Sequence, residues 1–159
     1  MTGITRFTTG IPVTLIENDD NSLLGTNFTG PNENGIDLPN FMPGSLHITD
    51  PRKCPDFSLD SCVPYFNTSL FSAETVGTLG NAKRRFFYGP GINNWDMALL
   101  KDLRLTDEKK IEFRFEFFNV FNHAQFNNPS GNFLDTQSFG KVISARDARI
   151  GQVAIKFIF

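Results

Sequence analysis

Residues 111–117 read Ile-Glu-Phe-Arg-Phe-Glu-Phe, the strictest alternation of apolar and charged residues in this 159-residue sequence. Because successive side chains of a β-strand point to opposite faces, the pattern predicts a strand with one apolar and one charged face. Residues 95–105 also alternate, and the short polar segment 106–109 separates the two runs. Two such runs joined by so short a turn predict an antiparallel β-hairpin. Lys101 interrupts the apolar phase of the first run, and we expect it at a β-bulge or near an interface.

The C-terminal residues 151–159 repeat the alternation and end on an aromatic residue. Such a strand suits the half-buried sheet of a soluble β-sandwich, or a membrane barrel in which the apolar face contacts lipid. The predicted hairpin strands, at about ten residues each, are long for a globular domain and sufficient to cross a bilayer at a tilt. One face of the terminal strand carries Val153, Ile155, Phe157 and Phe159.

The composition favours strands and turns over helices. The sequence contains 18 Phe residues, and no long stretch has a helical apolar stripe. Its 15 basic and 17 acidic residues give a net charge of −2, which argues against a nucleic-acid partner. No apolar run approaches the length of about 18 residues that a transmembrane helix needs. The sequence therefore predicts an all-β protein.

Three regions follow from the pattern. We expect a strand region at 1–16, a long loop-rich region at 17–92, and antiparallel hairpins with a terminal strand at 93–159, including a short strand at 139–144. The total of about five or six strands is below the roughly eight of the smallest membrane barrels. The chain is therefore expected to be the last part of a larger barrel with long external loops. Since its first residues lack the features of a signal peptide, we expect Met1 to be an internal start or a truncation.

Few residues suggest chemistry. Cys54 and Cys62 bracket a short polar loop, which favours a disulfide in an oxidising compartment over free thiols. His47 and His123 lack neighbours at metal-ligand spacing. Residues 18–21, Asn-Asp-Asp-Asn, resemble half a calcium loop but lack the glycine and the distal glutamate of an EF-hand, so a solvated turn is favoured. No motif predicts an enzyme or a cofactor, and a glycosidase would need an acid–base pair that the sequence does not single out.

Several segments resemble the C-terminal part of TonB-dependent outer-membrane receptors, specifically the Oar-like group with carboxypeptidase-regulatory-like N-terminal domains. The resemblance covers nearly the whole chain in the family's order, and residues 116–123 are its most specific element. The segments are GITRFTTGIPVT (3–14), YFNTS (65–69), GNAKRR (80–85), GPGINNWD (89–96), FRFEFFNVFNH (113–123) and the aromatic terminus.

The resemblance implies a segment of a barrel of about 22 strands that is closed by an N-terminal plug. It implies location in the outer membrane and a part in ligand uptake that this chain does not perform alone. The implied partners are outer-membrane lipid, the barrel-assembly machinery, the remaining N-terminal barrel and plug, and TonB through that plug. The terminal pattern of Val153, Ile155, Phe157 and Phe159 resembles the signal that the assembly machinery recognises. The alternative is a soluble secreted β-sandwich module that binds ligands through residues 17–90.

Overall fold

The computed structural model describes residues 1–17, 19–25, 37–54 and 58–159. Within these residues the regular structure consists of strands and short 3-10 turns, as the all-β prediction requires, and no helix is long and apolar enough to span a membrane. The strands are β1 (Thr2–Thr8), β2 (Pro12–Val13), β3 (Asn40–Phe41), β4 (Phe71–Ser72), β5 (Phe87–Tyr88), β6 (Ile92–Arg104), β7 (Lys110–Phe118) and β8 (Ile150–Ile158), and the 3-10 turns are Pro51–Lys53 and Thr68–Leu70.

The chain divides into two compact units. The first, called the sheet unit, comprises Met1–Thr8, Gly91–Gln125 and Ala145–Phe159. The second, called the loop unit, comprises Thr9–Pro90 and Phe126–Ser144. Each unit is therefore built from segments that are distant in the sequence.

The sheet unit contains one antiparallel sheet with the strand order β1-β6-β7-β8. The predicted hairpin is confirmed, because β6 and β7 pair continuously from Met97 opposite Phe117 to Arg104 opposite Lys110. Lys101 pairs with Phe113 inside that register, so the expected bulge at Lys101 is wrong. Lys101 instead lies in the part of β6 that approaches the turn, and its expected position near an interface stays a prediction.

The register extends the alternation of single strands into two continuous faces. Leu99, Phe115 and Val153 lie in line across three strands, and Leu100, Arg114 and Ala154 lie in line on the opposite face. Gly151 makes room for the Phe117 ring, since a β-carbon there would lie 2.9 Å from a ring carbon. The apolar face carries Met97, Leu99, Leu103, Ile111, Phe113, Phe115, Phe117, Val153, Ile155 and Phe157.

The connections of the sheet leave from its two ends in different ways. Thr8 pairs with Ile92, and Phe118 pairs with Ile150, so both long connections leave from the same end. The short turn after Arg104 and the end of β8 lie at the other end, where Lys110 pairs with Ile158. Within the described part of the chain the sheet does not close, and β1 and β8 each keep one edge without a neighbouring strand.

The loop unit has little regular structure but a well-defined core. Its strands form only two-residue pairs, β2 with β5 and β3 with β4. The Phe66 ring is 1% exposed and contacts the rings of Phe71, Phe87 and Phe139 at centroid distances of 5.7, 4.8 and 5.5 Å. The buried core residues are Val13, Leu15, Tyr65, Phe66, Phe71, Phe87, Phe139 and Val142. The predicted loop-rich region thus contributes a packed aromatic core that the sequence pattern did not predict.

One predicted strand is interrupted and another is absent. The strand region expected at 1–16 breaks after Thr8, before Gly10, which lies so close to the backbone carbonyl of Gly89 that a β-carbon would not fit. The short strand expected at 139–144 is wrong, since only an isolated bridge at Phe139 forms there. The Asp135 carboxylate accepts hydrogen bonds from the backbone of Gln137 and Ser138 and holds this segment in a turn instead.

Candidate functional site

The apolar face of the sheet is exposed and is not covered by other parts of the sheet unit. Val153, Ile155 and Phe157 are 61%, 66% and 50% exposed, and Leu99 on β6 is 50% exposed. Water-soluble proteins rarely expose a contiguous apolar surface of this kind, and such a surface marks contact with a partner or a membrane. The structure thus brings three of the four residues of the terminal pattern together on this face. Phe159 follows the strand, is 89% exposed, and has its ring 5.8 Å from that of Phe157.

The opposite face of the sheet is charged and also open to solvent. Arg114 lies between Glu112 and Glu116, with N–O distances of 3.5 and 3.8 Å, and Lys110 lies 3.6 Å from Asp102. Exposed ion pairs of this kind contribute little to stability. These charges would lose their hydration in lipid, so this face requires contact with water, whereas the apolar face does not.

An aromatic cluster lies at the end of the sheet from which the long connections leave. The Trp95 ring meets the rings of Phe7 and Phe121 edge-on, each with a centroid distance of 5.6 Å. The Trp95 Nε1 donates a hydrogen bond of 3.0 Å to the side chain of Asn93. Aromatic rings with a polar partner are typical of membrane–water interfaces. The sequence analysis missed this cluster, because its members meet only once the pairing of β1 with β6 is known.

The most specific motif, at 116–123, ends β7 by side-chain hydrogen bonds. Asn119 has a φ of 51°, in the left-handed region that Asn tolerates. The side-chain nitrogen of Asn119 donates to the backbone carbonyl of His123 at 2.9 Å, and the side-chain oxygen of Asn119 accepts from the backbone nitrogen of His123 at 3.0 Å. The Asp96 carboxylate accepts from the Asn119 amide at 2.9 Å. These bonds give the asparagines of the motif a structural role, the sharp end of a strand.

The remaining predicted sites are the two cysteines, the two histidines and the calcium-loop-like residues 18–21. Cys54 and Cys62 are joined in a disulfide bond, and both are buried. Within the described ranges, no group of three or more His, Cys, Asp or Glu side chains could hold a metal ion, and neither His47 nor His123 belongs to one. Of the calcium-loop-like residues 18–21, Asn18 lies outside the described residues. The Asp20 carboxylate accepts from the backbone of Leu24 and Gly25 at 2.9 Å each.

Two buried carboxyl groups were not predicted by the sequence. Glu17 is 1% exposed and Glu74 is 5% exposed. Burial, together with the neighbouring Glu74 carboxyl, raises the pKa of Glu17 to about 8. By contrast, the nearby Asp37 carboxylate is satisfied by Ser22, whose hydroxyl donates at 2.6 Å. The two glutamates are distant in the sequence, so no local pattern could have linked them.

Comparison with known proteins adds one finding. The family model described as "Outer membrane beta barrel domain" matches residues 1–152. No curated protein and no solved structure matches the chain. The match covers the whole loop unit and the sheet unit as far as the first three residues of β8, so residues 153–159 lie outside it.

Proposed function

Because this chain belongs to the outer membrane β-barrel domain family, and so is an outer-membrane protein, we propose that it forms the C-terminal part of a TonB-dependent receptor barrel. The carrying observation is the four-stranded sheet with an exposed apolar face, a charged face and two free edges. A membrane barrel wall needs lipid on the first face and water on the second. It also needs further strands at both edges, because each unpaired backbone group at an open edge costs free energy in a bilayer.

The connections support an orientation for this wall. Barrels of the bacterial outer membrane have short periplasmic turns and long extracellular loops. In the proposed orientation the turn after Arg104 and the end of β8 face the periplasm. The connections that follow β1 and β7 then lie outside the cell, and the aromatic cluster around Trp95 lies at the outer interface.

The proposed role is structural and contributes to ligand uptake only together with the rest of the receptor. The free edges of β1 and β8 would pair with the remaining barrel strands, and the plug would make the contact with TonB. The terminal residues Val153, Ile155, Phe157 and Phe159 would be recognised by the barrel-assembly machinery. The segments at 3–14 and 113–123 support the receptor assignment by resemblance. We propose no enzymatic activity, cofactor or nucleic-acid partner.

The alternative, a secreted β-sandwich module, is disfavoured by the same surface. A sandwich buries one face of each sheet against the other. Here Ile155 and Val153 on the edge strand β8 stay more than half exposed, and Leu99 on the inner strand β6 is 50% exposed. Membership of an outer-membrane family also implies a location different from that of a secreted module.

Cell fractionation tests the proposal. We would express the full chain in a Gram-negative host and compare wild type with Phe159→Ser and with Ile158→Ser, a neighbour on the charged face of the sheet. The wild type and Ile158→Ser should be recovered with the outer membrane, and Phe159→Ser should be lost from it. If the wild type remains soluble and folded, or if both variants behave alike, the membrane role or the terminal signal is refuted.

The receptor assignment has a separate test. The reading frame upstream of Met1 should encode further barrel strands and a plug. A frame that encodes neither would contradict the receptor assignment while leaving the outer-membrane location intact.

A further inference from the structure

The loop unit contains two buried acidic side chains whose oxygens lack partners. Glu17 Oε2 and both carboxylate oxygens of Glu74 have no hydrogen bond, although both side chains are at least 95% buried. A buried carboxylate without a partner is costly, because it has lost water and gained nothing in return. The arrangement therefore points to a missing partner at this place.

Hydrogen bonds bring the two segments together. The Asn21 side-chain nitrogen donates to Glu17 Oε1 at 3.0 Å, and the Asn21 backbone carbonyl accepts from the Gly77 amide at 2.6 Å. The turn that follows Glu74 is closed by the Thr78 amide, which donates to the Thr75 carbonyl at 2.9 Å. The carboxyl groups of Glu17 and Glu74 lie within hydrogen-bonding reach of each other. The two carboxyl groups that carry the unpartnered oxygens are therefore neighbours.

Protein groups within the described ranges do not neutralise this pair. The ion pairs found there involve neither Glu17 nor Glu74. A single proton shared between the two carboxyl groups would join only two of the three unpartnered oxygens and would leave one oxygen of Glu74 unsatisfied. A cation between the two side chains would contact all three.

We propose that Glu17 and Glu74 bind a hard divalent cation of the Ca²⁺ class, with water and neighbouring oxygens completing its shell. Ca²⁺ takes carboxylate, carbonyl and water oxygens in a flexible geometry, whereas Mg²⁺ requires a near-ideal octahedron. The two partners offer only oxygen, which disfavours softer metals that select thiolate or imidazole. With two carboxylates in the shell, we expect a weak site, with a Kd of about 10⁻⁴–10⁻³ M, as in extracellular modules.

The test is a titration of the full chain in detergent micelles after removal of metal with EDTA. Calorimetry with CaCl₂ should give one site per chain, and MgCl₂ should bind more weakly. Glu17→Gln and Glu74→Gln should each lower the affinity for Ca²⁺ by about tenfold or more, since each removes a charged ligand. Glu108→Gln is the matched control, because Glu108 is exposed in the hairpin turn, and it should bind as the wild type does.

Thermal unfolding of the wild type gives an independent measurement that needs no variant. The midpoint should be higher in Ca²⁺ than in EDTA, because a cation bound only to the folded state stabilises it. Equal midpoints together with no binding heat would overturn the proposal and leave a shared proton as the partner. Wild-type affinity in both glutamine variants would overturn it as well, since the cation would then bind elsewhere.

Discussion

An arginine near the middle of β8 on the apolar face should be far more costly than an arginine on the charged face of the same strand. Ile155 lies on β8 (Ile150–Ile158), one residue from its middle, and its side chain is 66% exposed. The nine residues of β8 span about 27 Å, and a tilt of about 40° reduces this to about 21 Å of membrane depth. Ile155 therefore lies within about 3 Å of the middle of the lipid-facing band.

The magnitude follows from this depth. An arginine on the lipid face of a barrel at the bilayer midplane costs about 2–4 kcal/mol. We therefore expect Ile155→Arg to lower the ratio of folded to unfolded protein by about 30- to 900-fold. Gln152→Arg is the matched control, because Gln152 lies on the opposite face and pairs with Glu116. Its arginine would stay in water beside a carboxylate, and its free energy of unfolding should stay within about 0.5 kcal/mol of the wild type.

The assay is urea unfolding of the full chain in lipid vesicles, followed by the fluorescence of Trp95, the single tryptophan. Ile155→Leu, which keeps the side chain apolar, should unfold close to the wild type. The reasoning would be refuted if the two arginine variants lost equal stability, or if Ile155→Arg unfolded as the wild type does.

Three further predictions concern the loop unit. Phe66→Ala should lower the free energy of unfolding of the loop unit by about 3–5 kcal/mol in urea denaturation, because Phe66 is the largest fully buried side chain among the described residues. A loss below about 1 kcal/mol would contradict the aromatic core. Cys62→Ser removes the disulfide to Cys54 and should lower the free energy of unfolding by about 2.5 kcal/mol, which is the loop-closure entropy of so short a loop. The melting midpoint should fall, and reductant should have no further effect on this variant. An unchanged midpoint would count against the bond. Arg52 holds the pKa of Asp50 at about 2 through a side-chain hydrogen bond. This contact therefore stabilises the fold above the ordinary pKa of 3.8, and the stabilisation is lost as the pH falls through about 2. NMR titration of the Asp50 carboxyl should show a higher pKa in Arg52→Ala, and an unchanged pKa would exclude the contact.

The sheet was predictable because its information is local. The strict alternation at 111–117 sets which side chains share a face, and the short turn at 106–109 sets the register with the preceding strand. The bulge expected at Lys101 shows the limit of this reasoning. A long lysine side chain can remain in an apolar row near the end of a sheet while its charge reaches water, so the ladder need not break.

The core of the loop unit was not predictable from pattern. Leu15, Phe66 and Phe139 come from segments far apart in the sequence. Their burial depends on long-range packing, which a single sequence does not express locally. The strand expected at 139–144 is wrong for the same reason, because the buried Val142 belongs to an irregular segment that packs on this core.

The acidic residues illustrate a similar limit at the candidate cation site. The sequence drew attention to 18–21, where the oxygen-bearing side chains are adjacent. The structure instead places the unpartnered oxygens on Glu17 and on the distant Glu74. The role of Phe159 in assembly stays a prediction, because recognition by the assembly machinery depends on a partner rather than on this fold.

The most direct test of the central claim uses the position of Trp95. In vesicles that contain the full chain, lipids brominated near the headgroup end of their acyl chains should quench Trp95 strongly, and lipids brominated deeper should quench it less. Aqueous iodide should have little effect, because the ring packs between Phe7 and Phe121 on the face proposed to contact lipid. Strong iodide quenching with no effect of brominated lipid would show that this face lies in water and would contradict the barrel-wall account.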